Sequence, residues 1–424
     1  MIDIAEVLAP RRFGVSFRWL LGSSWLSNIG DGVALAAGPL LVASSTHSAF
    51  LIASGAFLQW LPPLLFGLWA GALSDRHDRR RIVLIADAVR IVILAGITVA
   101  VLSHHAFVAL VLASLFALAT AEVFADNTTA TLLPMLVARD ELATANSRIQ
   151  FGLVTLNQLV GPPIGAALFA AGRAWPFLAQ MVIVLAAVGM VLRIALPAHP
   201  RDRHLDSTVR ADIAAGFRWV RRHAAVRTLV LTIFTFNITF GAAWSVLVLY
   251  SSRRLGLGAI GFGLITTVQA AGGLLGTASY GWIVKRVSLG NIMRIGLIIE
   301  TLTHLGLALA TSPWVAMPIF FVFGAHAFIW GTTSVTVRQR AVPPELLGRV
   351  TSVNTMGVFG GLVVGSGVGA VLAGHFGVTA PFWFAFGGSA VFLVLIWRQL
   401  VHIAHETTPE PAYEVPAQPT TPTT

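Results

Sequence analysis

The chain has 424 residues, of which 56% are hydrophobic and 11% charged, against roughly 25% charged in an ordinary soluble domain, and this excludes a soluble globular protein. The formal net charge of +10 would suggest nucleic-acid binding in a soluble chain, but here the cations sit in short loops between apolar runs, where they report topology. No nucleic-acid partner is expected.

A helix that crosses a bilayer needs about 20 mostly apolar residues. The sequence offers twelve such stretches, at 19–43, 50–72, 82–102, 106–130, 147–170, 175–195, 228–250, 259–283, 292–311, 314–337, 351–374 and 380–400. They predict an all-α membrane protein of twelve transmembrane helices. The first stretch follows Arg11, Arg12 and Arg18, exceeds a signal-peptide core and has no convincing cleavage pattern, so it is expected to remain as a span. With the N-terminus in the cytoplasm, Arg173, Arg253 and Arg254 fall outside, Arg90 falls within the third span, and every other Lys and Arg falls inside. That bias predicts a multi-pass protein of the cell membrane with both termini cytoplasmic.

The longest internal loop sets the expected organisation: a six-helix bundle over 1–195, a cytoplasmic linker over 196–227, a second six-helix bundle over 228–400 and a tail over 401–424. In the linker, Val209, Ile213, Phe217 and Val220 recur at helical spacing, flanked by Arg210, Arg218, Arg221 and Arg222. The pattern predicts an amphipathic helix at the cytoplasmic membrane face, serving as a connector or as a lipid sensor. From Thr407 onward the tail is rich in Pro and Thr, a composition that predicts disorder.

The two halves resemble each other. Asn28-Ile29 and Gly32 recur as Asn237-Ile238 and Gly241, an offset of 209, and Gly71 with Arg76 recurs as Gly281 with Arg286, an offset of 210. Glu141-Leu142, Gly161, Gly165-Ala166 and Leu168 recur as Glu345-Leu346, Gly365, Gly369-Ala370 and Leu372, an offset of 204. Two six-span halves related in this way are the sequence trace of an alternating-access transporter with its substrate site near the midplane.

After span two the chain reads Gly71-Ala72-Leu73-Ser74-Asp75-Arg76-His77-Asp78-Arg79-Arg80-Arg81. A turn obeying the positive-inside rule explains the arginines but not the glycine close to an Asp-Arg pair. The pattern resembles the loop signature Gly-x-x-x-Asp-Arg-x-x-Arg-Arg of the major facilitator superfamily. Gly161-Pro162-Pro163-Ile164-Gly165 in span five is similar to that superfamily's exporter signature; physically, the prolines remove helix hydrogen bonds and the glycines admit a neighbouring backbone. Gly30-Asp31-Gly32, the run Leu61 to Gly67, Ala86-Asp87, Leu133-Pro134 and Ala145-Asn146 extend the resemblance to bacterial drug, macrolide and siderophore exporters. One departure is the absence of any Lys or Arg between Arg90 and Arg139, so the span-four arginine of many proton-coupled relatives is missing.

The resemblance implies two pseudo-symmetric bundles rocking about a central cavity lined by spans one, four, seven and ten. In the signature loop, Gly71 would permit close helix approach, and Asp75 would accept from a helix N-terminus or pair with a neighbouring arginine. With Arg76, Arg79, Arg80 and Asp126 it would form a cytoplasmic gate, shut when the cavity opens outward.

An ionisable group in a spanning helix costs about 2.5–3.5 kcal/mol on insertion scales, so each one asks for a reason. Asp31, midway along span one with Asn28 one turn earlier, is the first candidate for the proton-coupling carboxylate; the alternative is a structural carboxylate. Glu122 in span four is a second protonatable or cation-recognising group, or a structural one. Asp126, on the same helix face but nearer the cytoplasm, fits a gate salt bridge with Arg79 or Arg80. Asp87 and Arg90 lie one turn apart and are expected to pair structurally. Glu300 and His304 in span nine and His326 in span ten are read either as proton-relay or substrate groups, or as satisfied buried polar groups. Asn237, Phe240 and Trp244, with Gln59 and Gln269, are candidate cavity lining for an amphiphilic substrate.

Enzymatic readings fail on the residues. There is no cysteine, the single lysine Lys285 is followed by Arg286 so no phosphate-binding Gly-Lys-Ser/Thr loop exists, and His402 to Glu406 has no zinc-hydrolase order. No metal or cofactor is implied. The expected function is secondary active transport, proton-coupled efflux of a small amphiphilic molecule, by a monomer in the lipid bilayer. The alternatives are a lipid or lysolipid flippase on the same fold, or a membrane receptor that does not transport.

Overall fold

A computed structural model describes residues 10–196 and 209–400. Among the described residues there is no strand. The helices are α1 (Gly14–Ser45), α2 (Ala49–Arg76), α3 (Arg79–Leu102), α4 (Val108–Leu136), α5 (Leu142–Ala171), α6 (Trp175–Val191), α7 (Val209–Arg222), α8 (Ala224–Arg254), α9 (Ala259–Ile283), α10 (Leu289–Leu309), α11 (Pro313–Ala341), α12 (Pro344–Phe376) and α13 (Ala380–Ile396). Ten of them are long and apolar enough to cross a membrane; α6 and α13, with 17 residues each, are shorter apolar helices in the sixth and twelfth places. The tight loops leave little room for extended caps, and single side chains supply them. Ser48, Asp78, Ser288 and Ser312 each accept a backbone N–H in the first turn of the following helix.

The repeat in the sequence is a repeat in packing. In the first half α1 packs on α5 and α6, α2 on α4, and α3 on α4 and α6. Shifted to the second half, α8 packs on α12 and α13, α9 on α11, and α10 on α11 and α13. The halves meet through α2 against α12 and α5 against α9. At one end the meeting is sealed: Leu41, Val42, Leu247, Val248 and Tyr250 share one buried cluster, and Arg253 donates to the His47 carbonyl at 3.1 Å across the halves.

Close approach is made where the sequence has its repeated glycines. A methyl group on Gly161 would lie 2.7 Å from the Gly32 carbonyl carbon, and one on Gly32 would lie 2.9 Å from the Gly161 Cα, so α1 and α5 touch backbone to backbone. Gly365 and Gly369 of α12 meet the α8 backbone at Ile238 and Ala242 in the same way. Gly71 behaves differently from its expectation, because nothing lies within 4 Å of a methyl built there; it mediates no close approach in this conformation.

The linker helix is present, and one face of it packs on the second half. Gly216 packs against the Arg349 backbone, Trp219 and Val220 join Val226, Val342, Val350 and Val353, and Asp212 pairs with Arg349 at 2.8 Å. Phe217, one of the predicted apolar stripe, is 61% exposed. The helix is docked on the ends of α8, α11 and α12 by a tighter, Gly-containing face. The predicted disordered tail lies outside the described residues.

Candidate transport cavity

Between the two halves lies a cavity of about 760 Å³, walled by α1, α2, α4 and α5 on one side and α8, α9, α11 and α12 on the other. It extends toward the helix ends nearest the described termini, where Asp126, Asn127, Thr351 and Ser352 line it, and stops short of the sealed end. Its lining follows helical period: Ala119, Glu122, Val123, Asp126 and Asn127 on α4, answered by Phe323, Gly324, Ala327 and Phe328 on α11. Gln59 of α2 and Gln269 of α9, an offset of 210, face it from the two halves.

Of the sequence-derived candidates, Asn28, Asp31, Gln59, Glu122, Asp126, Pro162, Trp244 and Gln269 line this cavity. Asp31, Glu122 and Asp126 are the only charged side chains among the described lining residues. Gln269 Nε2 is buried without a hydrogen-bond partner among the described residues and is available to a ligand. Sequence reasoning missed Trp60, which packs with Phe359 across the halves at 6.3 Å, and the wall residues Asn157, Gln158, Phe323 and Phe328. Period and the internal repeat carried a usable signal for α11, since the α4 face shifted by 205 residues gives Gly324, Ala327 and Phe328.

Asp31 is not a lone carboxylate. Arg90 reaches it from α3, so that the guanidinium bridges two acids: Nη2 to Asp31 Oδ1, and Nη1 to Asp87 Oδ1 at 3.2 Å. Ser27, one turn before Asp31, donates to Asp31 Oδ2 at 3.2 Å and accepts from Arg90 Nη1 at 3.2 Å. Arg90 is 1% exposed and Asp31 6%, so this is a buried ion network whose desolvation is repaid only by complete pairing. The predicted Asp87–Arg90 pair is present, but it is half of the arrangement. With no arginine on α4, Glu122 and Asp126 face open cavity.

Among the described gate residues, Asp126 and the arginines Arg79 and Arg80 are held apart. Arg79 donates to the carbonyls of Ser74 at 3.2 Å and Thr131 at 3.4 Å and contacts Met135 Sδ at 2.8 Å; Arg80 donates to the Leu192 carbonyl. The expected salt bridge from Asp126 to either arginine is absent; Asp126 lines the cavity while those guanidiniums tie α3 to the ends of α2, α4 and α6. Arg76 is exposed at the last turn of α2, and the Asp75 side chain lies outside the described set.

The exporter-like signature has a mechanical role. Pro163 cannot donate to the Leu159 carbonyl, and the Thr267 hydroxyl of α9 lies 3.2 Å from that carbonyl across the two halves, sharing its one proton between it and the Gly263 carbonyl of its own helix, also at 3.2 Å. The preceding turns, Leu153–Val160, widen to a π-helix, and the Gly161 N–H bonds back to the Leu156 carbonyl. Gly165 sits on the Val33 backbone of α1.

Five candidates are elsewhere. Asn237 donates to the Ile233 carbonyl at 2.7 Å and packs on Gly361 in the α8–α12 seam. Glu300, His304 and His326 are not cavity lining; the two histidines are buried in the second half, behind Trp244 and Phe323. His304 meets the Trp244 ring edge-on at 6.1 Å and His326 meets Phe323 at 5.4 Å. Phe240 stacks on Trp244 at 4.4 Å and supports it from the side.

Paired six-helix halves around a central polar and aromatic cavity define a membrane transporter. The same architecture is found in a bacterial homologue of the iron transporter ferroportin in an inward-facing state, with a TM-score of 0.70 at 16% identity covering 93% of this chain and 99% of that one. A variant of the nucleoside transporter NupG gives a TM-score of 0.73 at 11% identity, covering 91% and 100%. The chain belongs to the transmembrane secretion effector family of the major facilitator superfamily, whose model matches residues 5–419. Relatives include macrolide efflux protein A of Streptococcus pyogenes, 24% identical over 83% of this chain and 87% of that protein, and the multidrug efflux pump Tap of Mycolicibacterium fortuitum, 28% identical over 89% and 91%. The enterobactin exporter EntS of Salmonella typhimurium is 25% identical over 85% and 86%. The protein is a multi-pass membrane transporter with efflux-pump homologues, and not an enzyme.

Proposed function

We propose that this protein exports cationic amphiphiles from the cytoplasm in exchange for protons, working as a monomer in the cytoplasmic membrane with both termini inside. The observation that carries the reading is the cavity lining: three carboxylates, no cation, and an aromatic wall of Trp60, Trp244, Phe323, Phe328 and Phe359. Aromatic faces and carboxylates together favour a lipophilic cation. An anionic siderophore would meet like charge, so it is disfavoured.

The coupling follows from competition. With the cavity open to the cytoplasm, a cationic substrate that pairs with both Glu122 and Asp126 competes with protons for the same carboxylate oxygens, so substrate entry displaces the proton. After rocking outward, proton entry releases the substrate. Asp31 takes part through Arg90, which already rests on Asp87 at 3.2 Å; protonation of Asp31 leaves the guanidinium paired on Asp87 and frees the α1–α3 contact. In the outward-open state, Asp75, Arg76, Arg79 and Arg80 form the closed cytoplasmic gate.

The test is uptake of a lipophilic dye cation into inverted proteoliposomes, with the lumen, which corresponds to the outside, made acidic. Wild type accumulates the dye, while Asp31→Asn and Glu122→Gln lose the gradient-dependent part. Equal dye accumulation with and without a gradient, in protein of native gel-filtration profile, rejects proton coupling. Accumulation of an anionic catecholate in place of the cation rejects the substrate class.

A further inference from the structure

We propose that Glu300, His304 and His326 form a second proton-binding site, inside the C-terminal bundle and separated from the substrate cavity by the Trp244–Phe323 wall. The inference adds a site to the proton-coupled reading above. As evidence for proton binding, however, it stands on its own observations.

The repeat locates the site. Side-chain caps at Asp78 and Ser288 begin α3 and α10 at an offset of 210, and the same offset places Glu300 where α3 carries Arg90. In the N-terminal half that position is an arginine paired with acids from two helices. In the C-terminal half the position of Asp31, at the α1–α8 offset of 209, is Phe240. Glu300 thus occupies a charged position whose partner has been replaced by an aromatic ring.

The surroundings leave its charge without a counter-ion. On α10 itself the nearest cation is Arg294, six residues toward the cytoplasmic end and engaged with the Trp397 carbonyl at 2.9 Å and the Trp397 ring. On α8 the cations are Arg227, Arg253 and Arg254, and on α11 Arg338 and Arg340, all near helix ends; α13 carries none. Glu300 is the only carboxylate away from the helix ends in this half, the other, Glu345, standing in the first turn of α12. It is half-buried on α10, one helical turn from the buried Leu297 and from the buried His304.

The histidines are equally unsatisfied. His304 is 0% and His326 5% exposed, and both ring nitrogens of each lack a hydrogen-bond partner among the described residues, as does Trp330 Nε1. Gly296, one turn before Glu300, lets α11 close on α10, since a methyl there would sit 3.3 Å from His326 Nδ1 and 2.7 Å from Trp330 Cδ1. Buried polar atoms are ordinarily paired. Two imidazoles and an indole N–H left open among the described residues, with the half-buried Glu300 carboxyl one helical turn from His304, form a set of donors and acceptors that a proton and its water can complete. Neutral imidazole accepts a proton at one nitrogen and donates from the other, so His304, one helical turn from Glu300, can exchange a proton with that carboxyl through water. The step is proton binding alone: the carboxylate gains H⁺ from bulk water and returns it, with no other bond changed.

Infrared difference spectroscopy of the full-length protein in lipid, titrated with pH, tests this directly. Wild type should show a protonated-carboxyl C=O band that titrates and is missing from Glu300→Gln, with its midpoint displaced in Glu300→Asp and in the His304→Gln, His326→Gln double variant. A Glu300→Gln spectrum superposable on wild type at every pH overturns the proposal. If Glu300→Gln does not fold, the double histidine variant decides, and an unchanged midpoint there overturns it. Where pH-driven transport is present, the proton-to-substrate ratio from reversal potentials should fall by one in Glu300→Gln, and an unchanged ratio removes the site from the transport cycle. Absence of pH-driven transport in wild type would reject the proton-coupled reading, while the infrared titration still decides this site.

Discussion

At the scale of single residues, Arg90 determines what Asp31 can do. The guanidinium serves two carboxylates and a serine hydroxyl while 1% exposed, and breaking a buried pair by removing one partner costs about 3–5 kcal/mol. Arg90→Met leaves two acids uncompensated, whereas Asp31→Asn leaves the Asp87–Arg90 contact in place. Thermal unfolding in detergent should therefore rank Arg90→Met well below Asp31→Asn, and the double variant should lie above Arg90→Met. A double variant less stable than both singles would contradict the network. The sequence revealed Asp87 with Arg90, because one helical turn joins them, and marked Asp31 as costly. It had no means of joining Asp31 to an arginine 59 positions away, since that contact depends on how α1 and α3 are rotated. The same blindness placed Asp126 beside Arg79: spacing along α4 gave its face correctly, but not which way the neighbouring loop would fold.

At the scale of elements, the two glycine motifs diverge. Gly161 touches the α1 backbone, while Gly71 has open space around it. Overpacking costs about 1–3 kcal/mol, so Gly161→Ala should lower stability by that order, and Gly71→Ala should leave stability within about 0.5 kcal/mol. Denaturation midpoints of the two variants, measured side by side, check the contrast, and equal losses would refute it. Thr267 adds a second case. Its hydroxyl shares its proton with the carbonyl that Pro163 leaves open, so Thr267→Val should cost about 0.5–1.5 kcal/mol, and the loss should shrink when Pro163→Ala restores the helix's own donor. The proline's effect on its own helix was legible in the sequence. That the compensating group would come from α9, in the other half, was not, because nothing in the pattern of one helix names its partner.

At the scale of the whole molecule, the asymmetry of the two ends defines the conformational state. One end is held by the apolar cluster around Tyr250 and by Arg253 on the His47 carbonyl at 3.1 Å; toward the other the cavity is lined as far as Thr351 and Asn127. The repeat in the sequence announced two equivalent halves, but a repeat cannot say which end is closed, because both states use the same pairings. The native chain has no cysteine, so single cysteines introduced by Thr351→Cys or Asn127→Cys report accessibility without background. A membrane-impermeant maleimide should label either one from the cytoplasmic face, and Leu247→Cys should react from neither face. Arg253 is exposed at its latch, so Arg253→Ala should weaken the seal by only about 1 kcal/mol, roughly a fivefold shift toward the outward-open state. Labelling of Leu247→Cys from outside should then become detectable, rising about fivefold with the minor outward-open fraction, while labelling of Thr351→Cys, set by the still dominant state, should scarcely change. An unchanged rate at Leu247→Cys would show that the apolar cluster alone holds the outer end.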